Sequence, residues 1–162
     1  MKKLLIFFFI LAMLATSLCA CSDDTGTQNQ GSGSASSSNS NSNLGDYNVI
    51  IESCRLATDY SGEPIVIVKY KFTNNDEKPT AFAWSITDNV YQDGIGLNEC
   101  LLADDSANYS SDNQYKEIKT GATLSVEVAY KLNDTITDIE VEVSELNLFS
   151  NNKKVTKTFS IN

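Results

Sequence analysis

Leu124-Ser125-Val126-Glu127-Val128-Ala129-Tyr130-Lys131-Leu132 decides the fold class. Leu124, Val126, Val128, Tyr130 and Leu132 alternate with Ser125, Glu127, Ala129 and Lys131. Successive side chains of an extended chain point to opposite faces, so this period of two places one set on a core and the other in water. Outward from it the same pattern recurs. Val66, Val68, Tyr70 and Phe72 oppose Lys69, Lys71 and Thr73, and Ile139, Val141 and Val143 oppose Asp138, Glu140, Glu142 and Ser144. Burial on one face only is the habit of antiparallel sheets. Tyr47–Leu56, Thr80–Thr87, Val90–Gln92 with Ile95–Leu97, and Val155–Ile161 complete the strand candidates. Asn74-Asn75-Asp76, Asp93-Gly94, Thr120-Gly121 and Asn133-Asp134 supply turns between them. Residues 98–115 are polar, with at most a helical turn near Leu101-Leu102. Seven to eight short strands predict an all-β antiparallel sandwich over residues 46–162, a closed barrel being the alternative.

What precedes this body is of another kind. Lys2 and Lys3 open the chain, Leu4 to Leu18 is almost unbroken apolar sequence, and Leu18-Cys19-Ala20-Cys21 has the form of a bacterial lipobox. A basic start, an apolar stretch and a small residue at the cut make a secretory signal peptide over residues 1–20. The apolar stretch is shorter than the roughly 20 residues that span a bilayer. Cleavage is expected between Ala20 and Cys21, with diacylglycerol on the Cys21 thiol. Residues 21–45, rich in Ser, Asn and Gly, read as a disordered tether with too little apolar surface to offset ordering entropy. The expected location is the extracytoplasmic face of the cell membrane, with the membrane met through lipid.

Charge and composition narrow the partners. The chain has 12 basic and 21 acidic residues, a net charge of −9, and loss of Lys2 and Lys3 makes it −11. Such a surface repels phosphate backbones and anionic headgroups, so no nucleic-acid partner is expected. There is no histidine, which removes Ser-His-Asp and Cys-His catalysis and imidazole-based zinc sites. No facing carboxylate pair is evident, so an enzyme is not expected and a carboxylate-based envelope hydrolase is a remote alternative. Cys54 and Cys100 are either a disulfide closing a long loop or two separate buried thiols.

Asp104, Ser106, Asn108 and Asp112 space oxygen ligands like the start of a calcium loop. Tyr109 and Tyr115 stand where the glycine and the bidentate glutamate belong. No cofactor is expected beyond a weak calcium ion, which makes a calcium-dependent structural or sensing module the second functional reading. Tyr109 and Tyr115 are instead candidates for an exposed recognition surface in a polar loop. If Thr80–Thr87 is a strand, Phe82, Trp84 and Ile86 share its core face, and the small Ala81, Ala83 and Ser85 could meet a partner.

Three segments carry a family resemblance: Val68-Lys69-Tyr70-Lys71-Phe72-Thr73-Asn74-Asn75; Tyr91-Gln92-Asp93-Gly94 followed by Leu97; and Ile118-Lys119-Thr120-Gly121-Ala122-Thr123 running through Val126 to Ala129-Tyr130-Lys131-Leu132. In this order they resemble domain of unknown function 5067, found on lipoproteins of Gram-positive bacteria. The resemblance implies an immunoglobulin-like fold, a lipoprotein context and no assigned activity, so no catalytic residue is carried over. Its marked positions suit structural roles, Asn74 bonding its own turn and Gly94 and Gly121 taking positive φ. The function expected is a membrane-anchored, non-enzymatic binding module for an envelope protein or polymer.

Overall fold

A computed structural model of the chain describes residues 35–36, 42–100, 108–146 and 153–162. In chain order they form β1 (Ala35–Ser36), β2 (Tyr47–Thr58), β3 (Pro64–Asn74), a helical turn α1 (Phe82–Ser85), β4 (Ile86–Gln92), β5 (Ile95–Gly96), a 3-10 helix (Ser111–Tyr115), β6 (Thr123–Lys131), β7 (Ile139–Glu145) and β8 (Lys154–Phe159). The strands make two antiparallel sheets, ordered β2-β3-β6 and β1-β8-β7-β4-β5, with β1 adding only two residues at one margin. This is the expected antiparallel sandwich, and the two separate sheets rule out the closed barrel.

Register follows the alternation. Val66 pairs with Tyr130, Val68 with Val128, Tyr70 with Val126 and Phe72 with Leu124, so the inward sets of β3 and β6 stand side by side. Opposite them lie Val90 beside Val141, Ile139 beside Phe159 and Val143 beside Val155. These side chains form one buried cluster between the sheets, each contributing about 1.5–3 kcal/mol of burial. In β2 the inward parity would be lost halfway, but a bulge at Glu52 resets it. Val49 and Ile51 face inward before the bulge and Cys54 faces inward after it. The Lys157 ammonium donates to the Ile51 and Glu52 carbonyls at 3.0 and 2.9 Å, occupying the β2 edge where another strand could pair.

Three details depart from the sequence expectation. Residues 80–87 are not one strand. Ala81 is extended, Phe82–Ser85 makes a helical turn and β4 begins at Ile86. Phe82 and Ile86 stay buried because they are four residues apart on a turn, while Trp84 is turned out and is 56% exposed. Ala81 and Ser85 are buried, so they form no partner-facing surface. Leu44, within the stretch read as tether, is buried in the main cluster, and Val49 donates to the Ser42 carbonyl. Finally, the start of β3 is covered on both faces. Ile65 and Ile67, on the outer side, pack with Ala129, Cys100 and Tyr109 in a second, smaller cluster.

The marked turn positions behave as their chemistry requires. The buried Asn74 side chain accepts from the Asp76 amide at 2.9 Å and donates to the Lys78 and Ile118 carbonyls at 2.9 and 3.0 Å. Asp93 and Gly94 have φ of 48° and 74°, the two positive values of a tight hairpin between β4 and β5. No helix among the described residues is long and apolar enough to cross a membrane.

Candidate functional site

α1 and the 3-10 helix pack against each other at the margin of the sandwich where β4 and β6 begin. Both are short, and tertiary bonds hold them. Thr80 and Ile118 exchange backbone hydrogen bonds of 3.2 and 2.8 Å, and the Thr80 and Ser85 hydroxyls bond at 2.7 Å. Asn113 donates from Nδ2 to the Ser125 carbonyl at 3.0 Å, and the Leu146 amide donates to the Ser85 carbonyl at 2.8 Å. Two large aromatics project from this braced platform, Trp84 at 56% and Tyr115 at 49% exposure. Exposed Trp and Tyr on a rigid support combine a large apolar area with little rotamer entropy to lose, the composition of contact hot spots.

Beneath the platform lies a polar cluster inside the sandwich. Tyr130 of β6 donates its hydroxyl to Oδ2 of Asp88 on β4, a bond that joins the two sheets. Tyr70 of β3 faces the same carboxyl, with its hydroxyl fully enclosed. Burial pushes the Asp88 carboxyl up to about 6, against the opposing bond from Tyr130, and the charge of Glu99 raises it further. Glu99 accepts from the buried Gln114 side chain at 3.2 Å. Asp88 was not singled out from sequence, although the signal is there. It shares the parity of Ile86 and Val90, which places a carboxylate on the inward face.

The sequence candidates fall in different places. Cys21 and Ala20 lie outside the described residues, as do Asp104 and Ser106. Of the calcium set, Asn108 has φ 50° and its carbonyl accepts from Arg55 at 3.1 Å, while Asp112 sits in the first turn of the 3-10 helix. Among the described residues no three His, Cys, Asp or Glu side chains converge as metal ligands. Tyr115 is exposed as expected, but Tyr109 is not. Its ring covers Ile65 and Ile67 and is 8% exposed. The run Ile65-Val66-Ile67-Val68, apolar on both parities, was the sequence sign that something must cover the outer face.

The disulfide alternative is corrected. Cys54 and Cys100 are free, Cys54 packing in the core between the sheets and Cys100 on the outer face of β2-β3-β6. A sheet separates the thiols. Burial raises both, Cys54 to about 11, which leaves little thiolate. The intact chain is therefore expected to show both thiols free by mass spectrometry without reductant, and iodoacetamide should label them more slowly before denaturation than after it. A mass two hydrogens lighter, shifted back by reductant, would contradict this.

A groove of about 510 Å³ runs over the outer face of the other sheet, walled by Tyr91, Asp93, Asp138, Glu140, Glu142 and Lys154. Lys154 donates to Glu142 at 2.7 Å, and the remaining charged walls are acidic, so the groove disfavours anionic ligands.

Comparison with known proteins bears on the whole body. Residues 23–145, more than half of the chain, match the family described as a domain of unknown function (DUF5067). Among solved structures, the fold is similar to that of "a putative lipoprotein from Staphylococcus aureus subsp. aureus NCTC 8325". The TM-score is 0.56 at 18% identity, over 72% of this chain and 84% of the other. No curated protein matches.

Proposed function

The chain belongs to the domain of unknown function (DUF5067) family, and from that premise we propose that it is a lipid-anchored, extracytoplasmic, non-enzymatic binding module. In this reading Cys21 carries the lipid, the Ser/Asn/Gly-rich segment spaces the sandwich from the bilayer, and the Trp84–Tyr115 platform contacts an envelope protein or polymer. The observation that carries it is the exposure of Trp84 and Tyr115 on two short elements that tertiary hydrogen bonds hold rigid. Trp and Tyr are the side chains most enriched among residues that dominate binding energy at interfaces. The acidic surface favours neutral or cationic surfaces of that partner over anionic polymers.

The test compares the mature chain with its Trp84→Ala/Tyr115→Ala variant on purified cell walls and on solubilised envelope proteins. The native chain is expected to be retained on one of the two, and the variant to lose about tenfold or more in affinity while its melting temperature moves little. Retention that is equal for both chains would remove the platform from the proposal.

A further inference from the structure

The end of the sandwich away from Trp84 carries a second set of exposed apolar side chains. Residues 59–63 join β2 to β3 there, Asp93-Gly94 joins β4 to β5, and residues 132–138 join β6 to β7. β4 starts beside α1 and ends at Gln92, so its length of about 20 Å separates this end from the Trp84–Tyr115 platform. Of the exposed large hydrophobic side chains among the described residues, half are here: Leu56, Tyr60, Ile95 and Ile136. Tyr60 is 76% and Ile136 71% exposed. Apolar side chains scattered singly over a surface are ordinary, whereas a group gathered at one end is the pattern of an interaction site.

Polar side chains brace these turns. The buried Gln92 side chain donates to the Asp134 and Thr137 carbonyls at 3.1 and 2.9 Å and accepts from the Asn133 amide at 2.8 Å. Asp134 accepts in turn from the Ile136 and Thr137 amides at 2.9 and 2.7 Å, which fixes the backbone that presents Ile136. Asp59, also buried, accepts from the Ser61 and Glu63 amides at 2.7 and 3.0 Å and so frames the turn of Tyr60. The Leu132 amide donates to the Pro64 carbonyl at 3.1 Å, which ties the two turns together. Turns ordered in advance lose little entropy when a partner binds. Their rim is anionic. Glu63, Asp93, Asp134 and Asp138 lie on them, and Lys131 nearby has its ammonium 3.9 Å from the Asp59 carboxylate.

We infer that this end is a docking surface for a basic amphipathic segment of a partner protein, one whose apolar stripe is flanked by Lys or Arg. The apolar tips meet the stripe, and the carboxylates around them meet the flanking cations. The same carboxylates disfavour the two other occupants of an apolar end. They repel the anionic headgroups of a bilayer, and they repel one another when two copies meet end to end. Because the surface is separate from the Trp84–Tyr115 platform, the sandwich has room for one partner at each end.

The experiment uses the mature chain carrying Cys21→Ser, so that no lipid takes up the probe. The probe is a synthetic Leu/Lys peptide with Leu at i, i+3, i+4 and i+7, beside a peptide of the same composition in scrambled order. Titration followed by amide NMR is expected to shift residues 59–63, 93–95 and 133–138 and to leave Trp84 and Tyr115 in place. Tyr60→Ser/Ile136→Ser should weaken binding about tenfold or more, and Asp93→Asn/Asp138→Asn about fivefold at low salt. Asp112→Asn/Glu117→Gln removes the same charge near the platform and should weaken it by about twofold or less. Binding of neither peptide, equal binding of the scrambled one, shifts centred on the platform, or equal losses from the two charge variants would overturn the inference. Phosphatidylcholine vesicles that shift the same turns without peptide would assign this end to lipid and overturn it too, as would concentration-dependent shifts of the chain alone, which would assign it to a second copy. Should the Tyr60/Ile136 variant fail to fold, the shift map of the chain without it decides.

Discussion

Phe82→Ala is expected to destabilise the domain by about 3–5 kcal/mol, the range for emptying a phenylalanine site in a packed core. The Phe82 ring is 1% exposed and its centroid lies 5.2 Å from that of Tyr70 and 5.7 Å, edge-on, from that of Phe72. Removing it leaves a cavity against both rings and unseats α1, which has no side-chain cap of its own. Against a total stability of about 5–15 kcal/mol, the melting temperature should fall by roughly 10–20 °C. Trp84→Ala is the control. In a continuous strand Phe82 and Trp84 would share the core face and cost alike, whereas on a helical turn Trp84→Ala should cost within about 1 kcal/mol. Thermal unfolding of the two variants reads the difference. Comparable losses would contradict the turn.

The second large effect concerns the anchor. Cys21→Ser removes the thiol on which the proposed lipid is built, and serine cannot replace it. Two acyl chains, at about 0.8 kcal/mol per buried CH2, hold a protein on a bilayer where a single chain binds reversibly. The substitution should therefore abolish incorporation of radiolabelled palmitate and move the protein from the sedimented membrane fraction into soluble material. The fold should be unaffected, since the sandwich cluster is built from residues 44 and beyond. A serine variant that still sediments with membranes would sink the anchoring proposal, and a labelled one would place the lipid elsewhere.

The two sheets were legible because parity is a local property of an extended chain. Val66 through Phe72, Leu124 through Leu132 and Ile139 through Val143 read inward and outward as their registers place them. The roles of Asn74 and Gly121 were legible for the same reason, since side-chain-to-turn bonding and positive φ depend on a few adjacent residues. The aromatic platform was legible only in part. Tyr115 reads as exposed in its polar loop, but strand alternation puts Trp84 in the core, because a four-residue helical turn is too short to leave a 3.6 period. Tyr109 was misread because its partners, Ile65 and Ile67, lie more than forty residues away on another strand.

Alternation, turn residues and the lipobox-like start thus dictated strands, an antiparallel sandwich and an expected lipoprotein context. Each rests on contacts or chemistry within about ten residues of chain. The placement of Cys54 and Cys100 on opposite faces, the turning out of Trp84 and the meeting of Asp88 with Tyr130 were decided by sheet register and layer packing. Those are distances between residues far apart in sequence, and they exist only once the two sheets close on each other.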